Sequence, residues 1–225
     1  MGKKVHPLVF RIGQAATWRS KWFSQGRYQG FLMEDYNIRK FLTEKLKKQG
    51  LSHIEIERSE NELKVLIFTS RPGLIIGRGG AGIEVLKKEV DNFYKKIKVD
   101  KVSKTKIKIQ IEEILSPDSN SQILGQQIAD QLEKRIPFRR VLKQSIEKAM
   151  QCKDVRGVKV MIAGRLDGAE MARTEWLAKG NIPLQTIRAN VDYAQVNSYC
   201  RYGVIGIKIW MYKGDIFNKK NNSQN

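Results

Sequence analysis

The sequence of 225 residues holds only two cysteines and two histidines, and it has no long apolar run; each shortage removes a class of protein. Cys152 and Cys200 stand 48 positions apart with no second cysteine near either. That spacing suits neither a disulfide framework nor a zinc site, and it fits a reducing compartment. No apolar run exceeds the four residues of Val65–Phe68, where a membrane-spanning helix takes about 18. The opening Met1-Gly2-Lys3-Lys4-Val5-His6-Pro7 has charge but no apolar stretch behind it, so no secretory signal is expected. Catalytic signatures are missing as well. There is no G-x-S-x-G elbow, no paired His-Glu motif and no Cys–His ligand cluster, and His6 and His53 stand far apart. These absences lead to the expectation of a soluble intracellular protein that is not an enzyme, takes no small-molecule substrate and uses neither metal nor cofactor.

Acid is the other scarce commodity. Against 42 Lys and Arg there are 23 Asp and Glu, a net charge of +19 and a pI near 10.0. Such a surface binds polyanions, nucleic acid first and an anionic membrane second. With 41% hydrophobic residues the chain has enough apolar material for one or two folded domains. Residues 1–33 contain no acid at all. Lys3, Lys4, Arg11, Arg19, Lys21 and Arg27 alternate there with Trp18, Trp22, Phe23, Tyr28 and Phe31. No period of 2 or 3.6 is visible, which reads as an extended basic, aromatic arm. Its rings suit either stacking on bases or docking onto the arm's own domain.

From Asp35 the pattern turns helical. Ile38, Phe41, Leu42 and Leu46 share a face, Asp35 is placed to cap the helix and Gly50 to stop it. Ile54/Ile56 and Leu63/Val65/Ile67 read as two strands joined by a turn at Glu60-Asn61. A short helix, a glycine loop and a second helix (Ile83, Leu86, Val90, Phe93) follow. Ile107/Ile109/Ile111 then form a strand with Lys104, Lys106 and Lys108 on its other face. The polar stretch Ser116–Asn120 marks a boundary. Beyond it come two helices separated at Pro137, a strand at Val158/Val160/Ile162, a helical segment over Ala169–Lys179 and two alternating strands around 187–193 and 204–211. The expected fold class is α+β in two domains: arm 1–33, first domain 34–115, second domain 116–216 with helices packed on a small antiparallel sheet, and polar tail 217–225.

Gly77-Arg78-Gly79-Gly80-Ala81-Gly82 matches two templates. As G-x-G-x-x-G it suggests a dinucleotide fingerprint, with Asp100 at the expected distance. As G-x-x-G between two helices it suggests a KH loop, which clamps about four nucleotides by their backbone. A dinucleotide unit needs a strand leading straight into the loop, but Arg71-Pro72-Gly73 interrupts the chain and Pro72 suits the first turn of a helix. The KH reading therefore prevails, with Arg78 as the cation between the glycines.

The segment Arg71-Pro72-Gly73…Ile76-Gly77-x-x-Gly80 resembles the type II KH domain of the family of small-subunit ribosomal protein three, bacterial or organellar. The start, Met1–Pro7 with Phe10-Arg11-Ile12-Gly13, resembles that family too. So do Gly164-Arg165-Leu166-Asp167-Gly168-Ala169-Glu170-Met171-Ala172-Arg173-Thr174-Glu175-Trp176, Pro183–Ala189 and Asp192-Tyr193. Asp167 departs from the small neutral residue usual at its position. The resemblance implies a structural protein of the small-subunit head in the cytoplasm. Its partners would be 16S rRNA, mRNA at the entry channel, and small-subunit proteins ten and fourteen. It further implies that Gly77, Arg78, Gly79 and Gly80, the arm's Lys3, Lys4 and Arg11, and Arg165 and Arg173 of the second half face RNA. Arg139, Arg140 and Lys143 fall on one side of the helix from Phe138, opposite its apolar set. By periodicity alone this is a solvated helix face or a phosphate grip, and the resemblance implies the grip on messenger. Two alternatives stay open: a free-standing KH regulator, which would not need the arm or the second-half motifs, and a nuclease or lyase.

Overall fold

The structure, a computed structural model, describes residues 4–59, 62–97 and 106–217. Lys3, the turn at Glu60-Asn61, Asp100, Lys104 and the tail from Asn218 lie outside the described residues. The chain divides into two compact units. One is Trp18–Leu115, and the other joins the residues before Trp18 to those from Ser116 onward.

The first unit runs β1 (Ser20–Lys21), α2 (Tyr28–Leu46), β2 (Leu51–Arg58), β3 (Glu62–Thr69), α3 (Pro72–Ile76), α4 (Ala81–Ile97) and β4 (Lys106–Glu113), and α1 (Pro7–Phe10) precedes it in the chain. Ile38, Leu42 and Leu46 recur every four residues along α2, so all three point one way and are buried. They meet Ile56, Val65 and Ile67 from β2 and β3 and Leu86 and Val90 from α4 in one core. The sheet order is β1-β2-β3-β4, with β2 and β3 antiparallel and β3 and β4 parallel. This gives the helix-strand-strand-helix-GxxG-helix-strand order expected of the KH unit.

Asp35 does not cap a helix. α2 begins about two turns earlier, at Tyr28, and Asp35 sits inside it with no solvent exposure. Its carboxylate accepts from Arg58 Nε at 2.8 Å, Ser20 Oγ at 2.8 Å and the Trp22 indole at 2.8 Å. Arg58 also reaches Glu34 Oε2 at 2.7 Å. A buried carboxylate is tolerable only when paired in this way. These bonds fasten the second half of the arm to its own domain, and Ser20 and Lys21 add a short parallel pairing to β2. Trp22 packs edge-on against Phe31, whereas Trp18 and Phe23 stay exposed. The arm is thus divided between the two units and is not one extended piece.

The second unit contains α1, α5 (Ser121–Glu133), α6 (Phe138–Gln151), β5 (Gly157–Gly164), β6 (Arg173–Gly180), β7 (Ala189–Cys200) and β8 (Gly203–Asp215). Its four strands form an antiparallel sheet in the order β6-β5-β8-β7. Val158, Val160 and Ile162 of β5 and Ile205, Ile207, Ile209 and Met211 of β8 alternate toward α5 and α6. Asn120 caps α5 through its Oδ1, which accepts from the amides of Gln122 and Ile123.

Ala169–Lys179 is not helical. Residues 173–180 pair along their whole length with β5, from Gly164↔Arg173 to Gly157↔Gly180. Helix formers such as Ala, Met, Glu and Lys favoured the helical reading, but the segment has no 3.6-period apolar stripe to bury, and an open sheet edge supplied its hydrogen bonds instead.

Candidate nucleic-acid interface

Pro72 opens α3 at its first turn, and the Gly77 amide closes it on the Gly73 carbonyl at 3.0 Å. Arg78–Gly80 then form a single tight turn into α4, with Gly79 in the left-handed region at φ 61 and nothing within 4 Å of where its side chain would stand. At Gly82 a Cβ would lie 2.4 Å from the Ile75 carbonyl, so only glycine lets α3 and α4 approach this closely. Gly77, Arg78 and Gly79 are exposed and Gly80 half-buried. The result is a bare backbone turn at a helix N-terminus with a guanidinium beside it, which suits a sugar–phosphate strand. No strand leads into the loop, and the dinucleotide geometry is absent.

Arg139, Arg140 and Lys143 are all exposed on α6 and line a shallow groove with Gln144 and Glu147. The helix buries Phe138, Val141, Leu142, Ser145, Ile146 and Ala149 on its opposite side. Arg173 joins this stripe from β6. Its Nε lies 3.2 Å from Glu175 Oε1, while Arg139 Nε lies 4.0 Å from Oε2 of the same carboxylate. Both guanidiniums also lie over the Phe138 ring, at 5.7 Å and 5.5 Å. Glu175 and Phe138 therefore space the cations while leaving them open to solvent.

Arg165 sits elsewhere in this unit. Its Nε donates to the Ala169 carbonyl at 2.8 Å and its guanidinium faces Tyr202. Lys4 is exposed. Arg11 is a correction. It is 2% exposed, and its Nε, Nη1 and Nη2 donate to the carbonyls of Ala189, Pro7, Pro183, Leu184 and Thr186 at 2.7–3.1 Å. Burial pulls its pKa down, and its donors are turned inward, so it locks α1 against the loop before β7 and is not an exposed cation. Periodicity gave no warning, because a buried arginine and an exposed one look alike in a short irregular segment.

Sequence reasoning missed Lys159. Its ammonium lies 4.5 Å from the Trp176 ring centre and 5.6 Å from that of Trp210, and burial followed by the nearby Lys4 charge lowers its pKa. Lys159 alternates with Val158 and Val160 on β5, which placed it on the face away from α5 and α6; its ring partners come from two other strands.

The KH domain family matches residues 37–119, and the family described as "Ribosomal protein S3, C-terminal domain" matches residues 128–211. The chain is 45% identical over 221 residues to small ribosomal subunit protein uS3 of Caldicellulosiruptor saccharolyticus, covering 98% of this chain and 96% of the relative. It is 44% identical over 224 residues to uS3 of Agathobacter rectalis (100% and 98%) and 43% identical over 216 residues to uS3c of Guillardia theta (96% and 96%). Across nearly its whole length, then, this chain belongs to the small ribosomal subunit protein uS3 family, a family of structural ribosomal proteins and not of enzymes.

Proposed function

We propose that this protein is a structural constituent of the small ribosomal subunit head in the cytoplasm. In this reading it binds 16S rRNA, contacts mRNA at the entry channel, and packs with small-subunit proteins ten and fourteen. The turn from Gly77 to Gly80, with Lys3, Lys4, Arg165 and Arg173, serves RNA attachment. Arg139, Arg140 and Lys143 hold incoming messenger by its phosphates. The observation that supports the messenger role is the stripe on α6: Arg139, Arg140 and Lys143 exposed together, opposite the face that buries Phe138, Val141, Leu142, Ile146 and Ala149.

The test is the triple replacement of Arg139, Arg140 and Lys143 by Ala. These positions are solvent-facing, so stability should change by less than about 0.5 kcal/mol for each, and alanine favours the helix. The variant should enter small subunits normally, translate unstructured messengers at near wild-type speed and slow on structured ones. Cations that hold a separated strand oppose its return to a duplex and contribute nothing extra where no duplex exists. Wild-type rates on both messengers would make the stripe an ordinary solvated helix face.

A further inference from the structure

The second unit also holds a cavity of about 430 Å³ between the end of α5, the start of α6, the loop after β5 and the β7–β8 hairpin. Arg135, Arg165 and Arg201 line it, and so do Tyr199 and Tyr202, which are 63% and 57% exposed. Its size is that of a small-ligand site.

The backbone around it is unusual. At the end of α5 the Ile136 amide donates to the Gln131 carbonyl at 3.2 Å and the Arg135 amide to the Leu132 carbonyl at 2.9 Å. This is the helix-ending motif whose left-handed position ordinarily goes to glycine. Arg135 occupies it at φ 61. Asp167, at φ 54, does the same in the loop after β5. Among the described residues these are the two non-glycine positions with left-handed backbone, and both line this cavity. Aspartate tolerates this region better than most residues, so Arg135 is the more telling of the two: its long side chain stands where glycine would relax the chain.

One ring, that of Tyr202, is held as well. A Cβ on Gly168 would come 3.1 Å from Cδ2 and Cε2 of Tyr202, so the loop backbone braces that ring. Arg165, tied to Ala169, holds its guanidinium 5.7 Å from the ring centre. Glu133 Oε1 accepts from the Tyr199 amide at 3.1 Å and joins the end of α5 to the hairpin. Glu133 and Asp167 offset two of the three positive charges, which argues against an acidic peptide as occupant. An unstacked nucleotide uses all three kinds of group: rings for its base, guanidiniums for the flanking phosphates, carboxylates for the N–H groups of a base edge.

We propose that this cavity receives one looped-out base of an RNA strand, stacked against Tyr202, with Arg135, Arg165 and Arg201 on the adjoining phosphates. The proposal rests on the reading of the chain as an RNA-binding ribosomal protein. The test uses the full chain and two RNA hairpins that differ only by one bulged 2-aminopurine nucleotide. Wild type should prefer the bulged hairpin by on the order of tenfold, the worth of one base–aromatic stack, and quench its fluorescence. Tyr202→Leu should abolish both preference and quenching, and Tyr202→Phe should keep both. Equal affinity for the two hairpins, or a preference surviving Tyr202→Leu, would overturn the cavity while leaving general RNA binding intact. Failure to bind either hairpin would remove the RNA-binding reading and the cavity with it. An oligoglutamate peptide that binds wild type but not Arg201→Ala would reassign the cavity to an acidic protein segment.

Discussion

Arg11 spends its guanidinium on five main-chain carbonyls, and among the described residues no carboxylate joins them. Hydrogen bonds from a charged donor are each worth about 1.5–3 kcal/mol, and removing a buried charged partner typically costs about 3–5 kcal/mol. Arg11→Met should therefore lower stability to urea by about 3 kcal/mol. Arg11→Lys should recover little of it, since an ammonium cannot reproduce the planar fork. Lys4→Ala, at an exposed site, should change stability by less than about 0.5 kcal/mol. A loss below about 1 kcal/mol in Arg11→Met would return the residue to the pool of surface cations. At this scale the sequence speaks least clearly. Arg11, Lys4 and Arg165 look equivalent as letters, and only long-range partners more than 170 positions away separate Arg11 from the others.

Elements were more legible where one face is buried and the other wet. The four-residue recurrence in α2, the alternation of β5 and β8 and the one-sided stripe of α6 each follow from a periodicity that burial enforces. β6 failed this test because its residues are mostly exposed, and its strand state depends on β5, not on its own pattern. The glycine turn was legible for a different reason: its requirements are steric and local, a left-handed Gly79 and a Cβ-free Gly82. Replacing Arg78 and Gly79 with Asp should leave the fold intact, because aspartate tolerates the left-handed region better than most residues. Affinity for a short single-stranded RNA should fall roughly tenfold, as expected when a charge-assisted contact worth about 1.5–3 kcal/mol is lost and repulsion is added. A well-folded double variant with unchanged affinity in filter binding would remove the turn from the RNA-binding surface.

For the molecule as a whole the governing quantity is the net charge of +19. It was readable at once and pointed to a polyanion, nucleic acid ahead of an anionic membrane, but not to which cations face it. The buried Arg58 and Arg11 count toward the total, yet both are engaged inside the protein. Each phosphate neutralised on single-stranded RNA adds about −0.7 to the slope of log K against log salt. Several exposed contacts should give a slope of at least roughly −3, where a pocket for one small ligand would give a shallow response. The most direct measurement is sedimentation of small ribosomal subunits carrying this chain, before and after a high-salt wash that strips loosely held basic proteins. A chain built into the subunit through its arm, glycine turn and second-unit surface should stay in the particle at one copy per subunit. Recovery of the chain in the supernatant, with intact subunits left behind, would contradict its assignment as a structural constituent and favour a free-standing RNA-binding protein.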